Sequence, residues 1–378
     1  MKINFFTLHL LFITTFAVFS QPDYKALDEK SKNVPDSLGD YSTIANYLTH
    51  NLVTDTEKAR AIYIWIAHNI RYDMSQVSSG KRYFSPAEIL DEVFANRTGV
   101  CQHYSELFYA MSRSVGLESF LITGYTRDVY GEIADLSHAW NGIKTDSGYY
   151  FIDVTWAAGY EQKGKYVHEF RDEFFLLPPK EFIKDHMPFD PIWQFLDNPV
   201  TNEQFIAKDF SNLNKSGNYA FPDSIKHHLA LNDFNQLENA NRRIIENGIK
   251  NQLIQTQVDE NKLQLTNLRY NFAIDTMNSG IDSYNLYVSH KNRQFLNPKL
   301  SDDAIEAMIE NAENGVYAAE EMLQQLQSKN YDLNRSINEA RNSLPELLLA
   351  IKRERYFVDK YLKRWKPFRI FMFYTYGV

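Results

Sequence analysis

The sequence predicts a chain of two classes, an α+β first half followed by an all-α helical second half. Two observations lead there. Before about residue 200, short strand-like runs mix with helical patterns; after it, helical periodicity is almost unbroken. The length of 378 residues accommodates two domains, and 44% hydrophobic with 15% aromatic residues supplies the apolar surface for real cores. A net charge of −8 argues against general nucleic-acid binding.

The opening "MKINFFTLHLLFITTFAVFSQPDY" has one early lysine and an apolar run from Phe5 to Phe19. That run is short for a bilayer span. Val18 and Ser20 stand at the small-residue positions before a cut ahead of Gln21. The segment reads as a secretory signal peptide over 1–20, with an N-terminal membrane anchor as the alternative. The expected location is exported, periplasmic or extracellular, with no integral span after leader removal. Residues 21–54 are an expected helical lead-in.

"TDTEKARAIYIWIAHNIRYD" reads as a helix capped by Asp55 or Thr56, with Ala59, Ile62, Tyr63, Ile66 and Ile70 at helical spacing. "SPAEILDEVFANRTGV" gives a second helix, with Ser85 as cap, Pro86 at the first position and Glu88 three after the cap. A third runs from Gln102 to about Val115. Tyr104, Leu107, Phe108, Met111 and Val115 form its apolar stripe, and Gly116 suits a left-handed C-cap. "SFLITGYT" is strand-like. "HAWNGIKTDSGYYFIDVTW" reads as a hairpin through "DSG", its pairs running roughly 138 with 155 and 140 with 153.

A linker is expected over 201–223 and a helical bundle over 224–366. A shorter helix covers about 224–247. Long apolar stripes follow at Tyr270, Ile274, Met277, Ile281, Tyr284 and Val288, and at Ile305, Ile309, Ala312, Val316, Ala319, Leu323 and Leu326. Leu344, Leu348, Ile351, Val358 and Leu362 make a less regular third. Asp303 with Glu306 resembles a capping box. An antiparallel bundle is the reading, parallel coiled-coil dimerisation the alternative. The aromatic tail "PFRIFMFYTYGV" (367–378) reads as a strand packed on the body.

The chain holds one cysteine, Cys101, in "TGVCQHYSELFYAMSRSVGL". It cannot form an internal disulfide, so it is a buried small hydrophobe, an intermolecular link or a reactive thiol. Its place at the start of a helix favours the thiolate and offers backbone N–H groups to an oxyanion. A thiol nucleophile also needs an imidazole, and the imidazole an orienting carboxylate. His138 and Asp153 share a face of the expected hairpin as diagonal neighbours, provided the register does not slip by one.

"TGVCQHYSELFYAMSRSVGL", "SHAWN" and "YYFIDVTW" resemble, in order and spacing, the cysteine, histidine and aspartate motifs of the transglutaminase-like superfamily. "IYIWIAHNIRYD" resembles the helix before the cysteine. "FLLPPKEFIKDHMPFDPIWQFL" looks like the extension of bacterial members close to the kyphoscoliosis-peptidase branch. The resemblance covers about 55–200. It implies a papain-like, transglutaminase-like core, an antiparallel sheet packed on a central helix. It also implies a triad of Cys101 as nucleophile, His138 as general base and acid, and Asp153 as orienter. No calcium-site sequence of the animal tissue enzymes is present, so neither metal nor other cofactor is expected.

Gln102, Trp140 and Trp156 are candidate substrate contacts, with a helix-start surface role for Gln102 and core or cleft-wall packing for the tryptophans beside that reading. His103 reads as cleft lining or helix-start surface, Trp65 as core, and Tyr104 as core or cleft. His227 and His228 are adjacent and face apart on a helix, so they do not make a metal pair. The basic stretch Lys352 to Arg369 could meet an acidic surface or lipid, but a solvated bundle face is preferred. No Gly-rich phosphate loop, HExxH or EF-hand pattern occurs. The functional expectation is an exported cysteine-dependent acyl-transfer enzyme acting on protein or peptide amides, by hydrolysis or by amine transfer. The alternative is a catalytically silent binding or scaffolding protein. A protein or peptide substrate, and a protein partner for the bundle, are the expected partners.

Overall fold

The computed structural model describes residues 24–35, 38–77, 85–162 and 164–375. The expected leader lies outside them. The described chain forms two compact units, one of residues up to Thr123 with His138–Phe182, the other of Gly124–Ser137 with residues from Ile183 onward. The division falls after Phe182 and not near 200, and the lead-in belongs to the first unit.

The first unit opens with α1 (Lys25–Lys32), α2 (Tyr41–Thr49) and α3 (Asp55–Asn69). Thr54, not Asp55 or Thr56, caps α3: its hydroxyl takes the Glu57 N–H while Glu57 reaches back to the Thr54 N–H. Every residue of α3 from Ala59 to Ala67 is buried, Arg60 included. This helix is therefore core on all sides, beyond the single stripe read from its spacing. Next come β1 (Arg71–Tyr72), α4 (Met74–Val77), α5 (Pro86–Asn96), β2 (Thr98–Gly99) and α6 (Cys101–Ser114). Ser85 caps α5 as expected, and Gly116 adopts φ +83° after α6. Tyr104, Leu107, Phe108 and Met111 are fully buried against the α3 core.

Strands β3 (Glu118–Arg127), β4 (Ile133–Thr145) and β5 (Gly148–Ile152) follow, then α7 (Val154–Ala158), β6 (Gly159–Gln162), β7 (Lys165–His168) and α8 (Pro179–Phe182). β4 and β5 pair antiparallel from Asn141↔Ile152 to Thr145↔Gly148. That is the register expected from the turn, but the ladder stops at Ile152. Asp153 caps α7 instead of extending the strand, its side chain accepting the Trp156 N–H.

In the second unit the far half of β3 pairs antiparallel with β8 (His186–Pro188), Gly124 opposite Pro188. The expected linker is not a linker. It holds α9 (Asn202–Ile206), opened by a Thr201/Gln204 capping box, and Phe205 is fully buried in a core with Tyr125, Met187, Ile254 and Val258. The expected helix over 224–247 is two, α10 (Phe221–Leu229) and α11 (Asp233–Glu246), because Asn232 caps the second.

The bundle consists of α12 (Gln252–Asn292), α13 (Asp302–Gln325) and α14 (Tyr331–Lys363). The cap of α13 is Ser301, which takes the Ala304 N–H, not Asp303. Consecutive helices run antiparallel. Gly280 lies against Ala312 and Val316, and Gly315 against Gly280 and Thr276. Arg341 reaches the Leu323 carbonyl, while Arg355 pairs with Glu306. Ile305, Ile309, Ala312, Val316, Ala319 and Leu323 are buried, as their spacing predicts. The tail is not a strand. Residues Lys366–Phe371 form a 3₁₀ helix and Met372–Thr375 form α15. Pro367 fixes φ at its start, and Arg369 donates to the Arg364 and Leu362 carbonyls while pairing with Asp302, which holds the chain coiled. None of the described helices is long and apolar enough to cross a membrane.

Candidate active site

Cys101 is the first residue of α6, partly exposed, and the chain around it is fastened on three sides. β2 pairs in parallel with β1, Arg71 opposite Thr98 and Tyr72 opposite Gly99. The Arg71 N–H donates to Arg97 O, and the Asp73 N–H to Gly99 O. Arg97, at φ +53°, makes the left-handed turn that ends α5. His103 closes the helix start: it is fully buried, and its Nδ1 accepts the Val100 N–H at 3.2 Å. Gly99 must be glycine for this, since a Cβ there would lie 2.4 Å from the His103 Cβ. His103 is thus a cap and neither the cleft lining nor the surface residue expected. One turn further, Ser105 donates its hydroxyl to Cys101 O at 2.8 Å, and Tyr104 donates to Ile70 O at 2.8 Å. Tyr104 is core.

β4 delivers His138 and the end of β5 delivers Asp153, which is fully buried. His138 Nε2 donates to Asp153 Oδ2 at 2.7 Å. Asp153 Oδ1 accepts the Trp156 N–H at 3.0 Å, so both carboxylate oxygens are held. With Nε2 on Asp153, the nitrogen left for the Cys101 thiol is Nδ1, and the thiol is among the groups hydrogen-bonded to the imidazole. Burial works against the charged imidazole. The Asp153 carboxylate, and after it Cys101, outweigh that and hold His138 above its ordinary value, at about 10.

Two indoles flank the ring. Trp156, half-buried, stacks on His138 at 5.5 Å and 29°. Trp140 lies 5.9 Å away and is fully buried, packed edge-on against Phe182. Trp140 therefore presents no surface to a ligand and acts as wall; that candidate contact is corrected. Gln102 is exposed at the helix start.

Sequence reasoning missed two contributors. Tyr72 is half-buried, and burial first, then the charges of Cys101 and Asp153, raise its phenol. It stands beside the thiol; its signal was its place in "NIRYD", just past α3. Arg60 is the other. Its guanidinium is 97% covered, bidentate to Asp28 at 2.9 and 2.7 Å and ion-paired with Asp172. Its Cζ lies within 5.5 Å of the Tyr24, Tyr63 and Phe175 ring centres. This clamp fixes the segment whose Phe174 carbonyl takes the Asp153 N–H and whose Phe174 ring meets Trp156. A lone arginine in an apolar helix was its only sign.

Residues 42–154 match the model of the transglutaminase-like superfamily, a stretch that includes Cys101, His138 and Asp153. Human kyphoscoliosis peptidase (Homo sapiens) is 32% identical over 160 residues, 40% of this chain and 24% of the relative. The Mus musculus counterpart is 29% identical over 190 residues, 48% of this chain and 28% of the relative. Hillarin of Drosophila melanogaster is 22% identical over 213 residues, 51% and 25% respectively. The chain thus spans about a quarter of the length of these relatives.

Proposed function

We propose, from the premise that this chain carries a transglutaminase-like domain, that it is a cysteine-dependent acyl-transfer enzyme acting on protein or peptide amides. The observation that carries the reading is the chain of contacts from Cys101 through His138 to Asp153.

In this reading His138 Nδ1 holds the proton of Cys101, and the thiolate attacks the amide carbonyl carbon. The oxygen becomes an oxyanion at the start of α6, where backbone N–H groups lack intrahelical partners. Collapse breaks the C–N bond. The leaving nitrogen takes the proton from His138, and a thioester remains on Cys101. Water then attacks, giving its proton to His138; the acid leaves and the thiol is restored. An amine in place of water gives a new amide by the same steps. Asp153 keeps one nitrogen of the imidazole occupied throughout, and the Trp156 ring lies over its face.

Hydrolysis is favoured, since water is always present and no second amine site is identified. The name of the mammalian relatives, kyphoscoliosis peptidase, agrees with that choice. An exported location remains part of the reading through the leader expected over 1–20. The test uses peptides carrying backbone and glutamine-side-chain amides, with and without an amine donor, and hydroxylamine to trap the thioester as a hydroxamate. Release of amine or ammonia that Cys101→Ala abolishes supports the reading. Trapping no hydroxamate and releasing nothing across such a panel favours the silent binding scaffold.

A further inference from the structure

The aromatic tail of the second unit is only half packed. Arg369 is bidentate to Asp302, and Met372 is 1% exposed in the bundle core. These two residues fasten the 3₁₀ helix and α15 to the bundle. Rings on either side of them point outward: Trp365 is 70% exposed, Phe368 48%, Phe371 55% and Tyr374 74%. Their spacing is three residues, and the 3₁₀ helix with its cap sets Trp365, Phe368 and Phe371 in one row, with Tyr374 following in α15. Trp365 and Phe368 lie 5.3 Å apart, and Phe368 and Phe371 6.2 Å. Contiguous exposed rings of this kind mark an interaction surface.

Cations predominate around the row. Lys363 and Arg364 have no acidic partner among the described residues, and Lys366 only the distant Asp302 at 4.0 Å. Beside α15 lies a groove of about 1100 Å³, whose wall includes Tyr374 and the cations Lys352, Arg353 and Lys360. Its one acid, Glu354, is already taken by Lys291 at 2.6 Å and by the Tyr287 hydroxyl at 2.9 Å. All this sits on a chain of net charge −8.

We propose that this face binds an anionic lipid surface. A narrow row of Trp, Phe and Tyr standing out from the bundle suits insertion among acyl chains better than it suits a concave protein partner. The lysines and arginines beside it suit the headgroup phosphates. The tail would lie in the interface and not span it.

The test is sedimentation of the chain from Gln21 onward, which keeps every described residue, with phosphatidylcholine vesicles with and without phosphatidylglycerol. Binding is expected to need phosphatidylglycerol and to weaken with salt. Lys363→Gln, Arg364→Gln and Lys366→Gln each lower it by roughly fivefold. Phe368→Ala and Phe371→Ala each lower it by about tenfold. Trp365→Phe keeps binding but removes the blue shift of emission that vesicles cause. Far-ultraviolet circular dichroism equal to the parent's checks that each variant is folded. No binding to anionic vesicles, or equal binding by the folded phenylalanine variants, overturns the proposal. So does a dimer that these variants dissociate while vesicle binding is unchanged, since the row would then face a second copy. Capture by soluble polyglutamate without a Trp365 shift on vesicles overturns it too.

Discussion

His138 Nε2 and Asp153 Oδ2 are 2.7 Å apart, in a place where Asp153 has no solvent exposure at all. A buried carboxylate is costly unless its oxygens are bonded. Asp153 meets that need by taking the imidazole on one oxygen and the Trp156 N–H on the other. The pairing raises His138 from 6.5 to about 10. A raised value means that the native state binds the proton more tightly than the unfolded chain does. The resulting stability is present in full below about pH 6.5 and is lost as pH climbs through about 10. The melting temperature of the parent should therefore exceed that of His138→Gln most in mild acid, and the gap should close towards pH 10. A gap that is flat or widens with pH would show that the pair does not hold the proton. Asp153→Asn should bring the imidazole resonance back towards its ordinary titration.

Gly99 sets where α6 begins. Alanine there would put a methyl 2.4 Å from the His103 Cβ, against a buried ring with nowhere to move. Overpacking of this kind costs about 1–3 kcal/mol. Urea unfolding of Gly99→Ala should show that loss, and alkylation of Cys101 should change with it. An unchanged midpoint would mean that the helix start is less constrained than its contacts indicate.

Arg60 joins α1, α3 and the segment behind Trp156. Its bonds to Asp28 and Asp172 are charge-assisted, and Arg60→Met keeps much of the stem volume while removing them. Asp172 is 60% exposed and rehydrates when released, whereas Asp28, 19% exposed, is left partly buried without its bidentate partner. About 1.5–3 kcal/mol is expected from equilibrium unfolding.

In the bundle, Gly315 lies against Gly280, and a Cβ on Gly315 would sit 2.8 Å from the Gly280 Cα. Helix propensity alone favours Gly315→Ala by about 1 kcal/mol. The backbone contact opposes it by about 1–3 kcal/mol. Net destabilisation is the expected result in thermal unfolding, and a gain would mean that α12 and α13 separate easily.

Local signals carried much of this into the sequence. Ser85 with Pro86 marked the start of α5, Gly116 the end of α6, and "DSG" fixed a hairpin register that holds from Asn141 to Thr145. That register is why His138 and Asp153 were legible as neighbours. Long-range contacts were not legible. The Arg60 clamp joins residues more than a hundred positions apart, and Tyr72 comes under the influence of the Cys101 charge across the β1–β2 pairing. The tail misled for a similar reason: its aromatic composition suits a strand, but Pro367 and the Arg369–Asp302 pair coil it. The capping role of His103 was not legible because its partner is the Val100 backbone, which no side-chain pattern reveals.

The central claim is that Cys101 is a nucleophile served by His138. Alkylation of native protein by iodoacetamide across pH tests it most directly. A thiol paired with an imidazolium should react fast below about pH 7, and His138→Ala should slow it there. A slow rate that rises only near about pH 8.5, as for an ordinary thiol, and that His138→Ala leaves unchanged, would contradict the account.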